Sequence, residues 1–351
     1  MKPQLPTRQA VLDRRTYEPP GEGRAGKLRL DFNENTAGCS PAARRALAKL
    51  TPQLLSMYPE YERGTHRLAR HFKVAPEELL LTNGGDDALR LFFDAFVDAG
   101  SAALICEPTF PMYCYWGEVA GAKIESHRYS SSMEFPLNGV LQSLALRPRV
   151  LFVCNPNNPT GTLLQMETIE TILKAATHTA VIVDEAYAEF CGLTVIPWIK
   201  EYPQLFVVRT FSKAAGLAGL RLGAVIACAD SVAILRRVTA PFPVNVAALA
   251  AAEAAVNDSK TMKLYVKNIL RTRAWFEKEL HKLKIKAYPS AGNFLLADFG
   301  PGGSEMCSQL NKHGILLRDR SKDIGPGHVR VTIGTQREME RLLKFIKRSR
   351  R

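Results

Sequence analysis

The chain has 351 residues, 46% hydrophobic and 23% charged, which suits a globular protein with one large unit and a smaller one. No apolar run approaches the roughly 18–20 residues that cross a bilayer, and the start Met1-Lys2-Pro3-Gln4 lacks the apolar core of a secretory signal, so no membrane role and a cytoplasmic location are expected. The net charge of +13 is dispersed, apart from the tail Lys347-Arg348-Ser349-Arg350-Arg351, and no aromatic platform or helix-turn-helix pattern accompanies it; a solvated surface that steers anionic substrates is expected, not nucleic-acid binding.

Residues 1–30 read as an irregular arm, rich in Pro and Gly. Ser40-Pro41 then opens a helix, serine as cap and proline at the first helical position. From Leu79 to Ile226 short apolar runs alternate with amphipathic stretches. The predicted strands are Leu79–Leu81, Ala103–Cys106, Val150–Val153, Val181–Val183, Leu205–Val208 and Ala224–Ala227, with helices such as Asp86–Val97 and Met166–Ala176 between them. That alternation predicts an α/β fold, a mainly parallel sheet with helices on both faces. From about residue 230 the pattern changes. A long helical region, Val244–Leu283, precedes strands at Lys284–Tyr288, Phe294–Asp298 and Val329–Ile333 and a closing helix Arg337–Ile346. The division expected is an arm (1–30), a large unit (31–235, whose 31–55 part packs with the small unit or with its own) and a small α+β unit (236–351).

The seven cysteines are scattered, form no Cys-x-x-Cys pair and read as free thiols, while His66 and His71 are five apart. No metal site is expected.

The residues that carry chemistry lie at or beyond the ends of predicted strands, where ligands gather in open α/β sheets. After Leu79–Leu81 comes Asn83-Gly84-Gly85-Asp86, a turn into a helix whose N-terminus favours an anion. After Val150–Val153 comes Asn155-Pro156-Asn157-Asn158-Pro159-Thr160-Gly161, a stiff loop that presents Asn158 or is a rigid connection only. After Val181–Val183 comes Asp184-Glu185-Ala186-Tyr187. A carboxylate there needs a positive partner, such as a pyridinium nitrogen, or serves as a helix cap. The run Thr210-Phe211-Ser212-Lys213 leads through a glycine-rich stretch to Arg221, eight positions on. A lysine of this kind suits a Schiff base with an aldehyde cofactor, with hydroxyls and a guanidinium on its phosphate. The bland alternative is a Ser-Lys pair at the start of a surface helix.

Together these runs, with Asp31-Phe32-Asn33-Glu34-Asn35, Tyr58-Pro59, Pro108-Thr109-Phe110 and Arg330-Val331-Thr332-Ile333-Gly334-Thr335, resemble the fold-type-I pyridoxal-phosphate aminotransferases, and among them the histidinol-phosphate aminotransferases, over residues 30–334. The resemblance implies pyridoxal 5′-phosphate (PLP) bonded to Lys213, Asp184 at the ring nitrogen, Asn158 and Tyr187 at O3′, and Phe110 on the ring face. It implies Gly84, Gly85, Asp86, Thr210, Ser212 and Arg221 around the phosphate, and a homodimer in which Tyr58 reaches the partner's site. Arg330 and Asn33 would meet the substrate, with Tyr17 and Arg318 aiding a phosphorylated one. The implied partners are an amino donor and a 2-oxo acid, here L-histidinol phosphate and 2-oxoglutarate. Alternatives are a broader aromatic amino-acid aminotransferase or a phosphothreonine decarboxylase-like lyase. The sequence departs from the family at Gly85, at Thr36-Ala37-Gly38 where Pro-Tyr usually follows, and at Ala215, where an aromatic residue is common.

Overall fold

A computed structural model describes residues 5–12 and 23–349, so Tyr17 lies outside the described residues. The strands are β1 (Leu28–Leu30), β2 (Leu79–Thr82), β3 (Ala102–Glu107), β4 (Lys123–Arg128), β5 (Val150–Cys154), β6 (Ala180–Asp184), β7 (Leu205–Thr210), β8 (Gly223–Ile226), β9 (Lys286–Ala287), β10 (Phe294–Asp298), β11 (Ile315–Asp319) and β12 (His328–Thr332). They form a seven-stranded sheet in the order β2-β8-β7-β6-β5-β3-β4 and a five-stranded sheet in the order β1-β11-β12-β10-β9. In the larger sheet only β8 runs against its neighbours, so the expected mainly parallel α/β sheet is what the chain builds.

The inner strands are apolar throughout because both faces of the sheet are covered. Leu151 and Val153 of β5, Val181 and Val183 of β6, and Leu205 and Val207 of β7 pack into one core. Their alternating neighbours Phe152, Ile182, Phe206 and Val208 pack into the core on the opposite face. The smaller sheet has a core of its own, built from Leu295 and Ala297 of β10, Val329 and Val331 of β12, and Ile269 and Phe276 of the helix Ser259–Lys282.

Four elements differ from the sequence-based expectation. Leu28–Leu30 leaves the arm and pairs in parallel with β11. The edge strand β4, KIESHR, reads as polar because an exposed edge carries charge. The strand β11 ends in Arg318 and Asp319, and its apolar run was too short to be read as a strand. The long helical region divides at Asp258, whose backbone leaves helical geometry (φ −98°, ψ 48°) and whose carboxylate accepts from Thr261 Oγ1 at 2.9 Å. The first half, Val246–Asn257, packs in the core of the larger sheet with Ala43 of the helix Pro41–Leu47. An apolar, alanine-rich helix carries no mark of which sheet it will cover. Among the described residues no helix is long and apolar enough to cross a membrane.

Candidate active site

A cavity of about 460 Å³ opens between the carboxyl ends of the parallel strands and the face of the smaller sheet that carries Arg318 and Arg330. Of the residues expected to form the site, Gly85, Asp86, Phe110, Asn158, Asp184, Tyr187, Thr210, Ser212, Lys213, Arg221, Arg318 and Arg330 line it.

Lys213 sits in the loop between β7 and β8, and its Nζ donates to the carbonyl of Phe32 at 2.8 Å. Burial, reinforced by the positive charge of Arg330, brings its amine down to about 8 from the usual 10.5. A lysine in that state supplies free amine near neutral pH, which an imine-forming nucleophile needs.

Asp184 ends β6 and is 7% exposed. Its Oδ1 accepts from the Ala186 amide at 3.0 Å and its Oδ2 from the Tyr113 hydroxyl at 2.7 Å. Burial pushes its carboxyl upward, and those two bonds oppose the shift. A buried carboxylate held by neutral donors favours a cationic group set against it. Tyr113 escaped sequence reading. It lies three residues beyond Phe110 on the helix Met112–Ala120, fully buried and stacked on Phe152 at 4.9 Å. Tyr113→Phe is expected to lower the unfolding free energy by about 1.5–3 kcal/mol, the usual worth of a hydrogen bond to a charged group. Urea unfolding measures this, and a change within about 0.5 kcal/mol would deny the bond that role.

At the other end stand the N-terminus of the helix Gly84–Phe96, Thr210, Ser212 and Arg221. Ser212 is 7% exposed and its buried hydroxyl has no hydrogen-bond partner, although its amide donates to Thr210 Oγ1 at 3.2 Å. Arg221 adopts left-handed backbone (φ 54°) and donates to Asp86 Oδ2 at 3.1 Å. Two glycines make the close approach possible. A Cβ on Gly223 would lie 2.5 Å from the Gly84 carbonyl carbon, and one on Gly84 (φ 79°) would lie 2.4 Å from Arg221 Nη2. An unpartnered hydroxyl, a guanidinium and a helix N-terminus in one cradle fit a phosphate. Gly84→Ala is therefore expected to weaken retention of a phosphorylated cofactor about tenfold or more, the loss of one charge-assisted bond. A titration of the cofactor-free protein followed by absorbance reads this, and unchanged affinity would contradict it.

The third wall comes from the smaller sheet. Arg318 stands opposite Arg330 in the β11–β12 register. Arg330 is 6% exposed, donates through Nη1 to Asn158 Oδ1 and through Nη2 to the Asp31 carbonyl, and keeps a buried Nε without a partner. Burial lowers it to about 10, with Arg320 and Arg318 adding repulsion.

Three expected residues stand elsewhere. Asn33 does not line the cavity: it is fully buried with φ 55°, bonded to Thr332, and its Nδ2 donates to the Tyr187 hydroxyl at 2.9 Å. Gly84 lies behind the cavity wall, under Arg221. Tyr58 is 77% exposed and stacks on Phe242 at 4.3 Å, away from this chain's own cavity. Arg320, missed by sequence, does line it; it follows β11, a strand the sequence did not announce, so no signal marked it.

The family model described as aminotransferase class I and II matches residues 25–346. The chain belongs to that family. This aminotransferase is 34% identical over 331 residues to histidinol-phosphate aminotransferase of Yersinia pestis (strain Pestoides F), covering 92% of this chain and 84% of the relative. Among solved structures it is similar to a provisionally named histidinol-phosphate aminotransferase of Erwinia carotovora atroseptica SCRI1043. That pair has a TM-score of 0.86 and 28% identity, covering 93% of this chain and 97% of the other. It shares its fold with L-threonine-O-3-phosphate decarboxylase of Porphyromonas gingivalis at 24% identity and a TM-score of 0.78, covering 91% and 98% of the two chains. The aminotransferase is accordingly PLP-dependent and takes an amino donor and a 2-oxo acid. The buried Ser212 hydroxyl, the Gly84–Arg221 cradle and the buried Asp184 fit that cofactor's phosphate and ring nitrogen.

Proposed function

We propose that this aminotransferase exchanges the amino group between L-histidinol phosphate and 2-oxoglutarate. The observation that carries the reading is the guanidinium wall of the cavity, Arg318 and Arg330 together, which favours substrates with an anionic end. Both glutamate and histidinol phosphate have one. The 34% identity to an enzyme of that name supports the same substrate.

When bound, the cofactor supplies an aldehyde that takes up the amine and a conjugated ring that accepts electrons from the substrate's Cα–H bond. In this reading Lys213 is the point of attachment. Its amine, brought down to about 8, would take the proton from the substrate's Cα as base and hand it back as acid. Asp184 would keep the ring nitrogen protonated, Tyr187 and Asn158 would hold the ring oxygen, and Phe110 would cover the ring face. Thr210, Ser212, Arg221 and the amides of Gly85 and Asp86 would hold the phosphate, with Gly84 giving Arg221 the room to approach it. Values of kcat/KM for histidinol phosphate, histidinol, phenylalanine, tyrosine and phosphothreonine test the assignment. A preference of at least about 100-fold for histidinol phosphate over the aromatic amino acids is expected. Equal use of the aromatic amino acids, or carbon dioxide release from phosphothreonine, would overturn it.

The same reading includes a homodimer. Leu54, Leu55, Met57, Tyr58 and Phe242 are 42–77% exposed, and Tyr58 stacks on Phe242, an apolar exposure that a second copy would cover. Tyr58 would then extend into the partner's cavity. Light scattering is expected to give twice the chain mass. Tyr58→Ala should raise the cofactor dissociation constant several-fold, the effect of one lost hydrogen bond. A monomer that retains full activity would contradict both statements.

A further inference from the structure

The cavity holds one cation that the proposed function leaves unused. Arg320 follows β11, and its amide donates to the His328 carbonyl at 2.8 Å, continuing the antiparallel ladder in which Arg318 faces Arg330. Side chains two apart in a strand share a face. Arg318, Arg320 and Arg330 therefore lie on one face of the smaller sheet, and all three line the cavity. Arg320 is 7% exposed and is anchored by an ion pair from Nη2 to Asp323, whose side chain is 42% exposed.

The charges of the lining divide by location. Arg221 is paired with Asp86, and Asp184 stands with Tyr113. The remaining carboxylate in the lining, Glu34, pairs with Arg29 at 2.5 Å. Arg320 is in turn paired with Asp323, so this wall of the cavity carries three guanidiniums beside one partly exposed carboxylate. Arg330 has already committed Nη1 and Nη2 to Asn158 and Asp31. A carboxylate carries one charge and two acceptor oxygens, which a single guanidinium fork can satisfy. A phosphomonoester carries roughly −1.5 to −2 charges near neutral pH and three terminal oxygens. A third buried guanidinium is surplus for the first ligand and matched to the second.

We propose that Arg320 is a specificity-determining residue that binds the phosphate dianion of the amino donor and discriminates it from the carboxylate of glutamate. The inference rests on the proposed function, since it takes a phosphorylated donor as given. It assigns the discrimination to a residue outside the Arg318–Arg330 pair.

The test uses the PLP-loaded enzyme and its Arg320→Gln and Arg320→Lys variants. The two half-reactions, with histidinol phosphate and with glutamate, are followed separately by cofactor absorbance. Arg320→Gln should raise the KM for histidinol phosphate about 10–100-fold, as expected for a lost charge-assisted bond, and leave glutamate and unphosphorylated histidinol within about threefold. Arg320→Lys, which keeps the charge but loses the fork, should recover part of the loss for the phosphorylated donor alone. Equal losses on all three donors would show that the Asp323 pair only holds the loop, and overturn the inference. So would an unchanged KM for histidinol phosphate. Failure of the underlying reading is visible without any variant: wild-type enzyme would then use histidinol and histidinol phosphate equally, and both proposals would fall.

Discussion

Lys213→Ala protein is expected to transaminate at least about 10³-fold more slowly than wild type, because one substitution removes both the covalent anchor and the proton carrier. The same change should stabilise the cofactor-free protein at pH 7. Burial lowers the Lys213 amine to about 8 in the folded state against 10.5 unfolded, so below pH 8 folding must bury a protonated amine at a cost. As pH rises from 8 toward 10.5 the folded state sheds its proton first, the unfolded state still binds one, and wild-type stability climbs. Above 10.5 both states are neutral and the penalty is gone. Melting temperatures of the two cofactor-free proteins should therefore differ at pH 7 and converge by about pH 10.5. Near wild-type turnover in the variant would remove Lys213 from the chemistry. A pH-independent difference in melting temperature would remove it from the buried, depressed state.

Asp184→Ala is the second large effect. The substitution takes away the carboxylate proposed to keep the ring nitrogen charged, and a loss of about 10²–10³-fold in kcat is expected, the usual size for one electrostatic group aimed at developing charge. Folding should survive, because the position is neutralised rather than charged. The exposed cost is the Tyr113 hydroxyl left without its acceptor, about 1–3 kcal/mol. The double variant Tyr113→Phe with Asp184→Ala should regain part of that stability and none of the activity. Unchanged turnover in Asp184→Ala would sink the pyridinium role, and an unfolded protein would show that the carboxylate is structural.

The sequence made the cofactor end legible because its residues cluster in short runs at strand ends: Asp184 closes β6, Thr210 closes β7, Asn158 lies in the loop after β5 and Lys213 in the loop after β7. The apolar runs of β5, β6 and β7 announced a sheet covered on both faces for the same reason. What sequence did not disclose depends on partners far along the chain. Tyr113 meets Asp184 71 residues later, and Asn33 meets Tyr187 across 154. The short strand β1 pairs with β11, and β11 ends in Arg318, which lines the cavity, and the exposed Asp319. Asn33 illustrates the limit most clearly. Its place in the run Asp31–Asn35 marked it for the site, and the structure sets it one layer back, with left-handed backbone and its amide on the hydroxyl of Tyr187.

The attachment at Lys213 is tested most directly by loading the protein with PLP, reducing it with sodium borohydride and mapping the modified peptide by mass spectrometry. The account predicts a single labelled side chain, Lys213. Label on another lysine, or none, would contradict it.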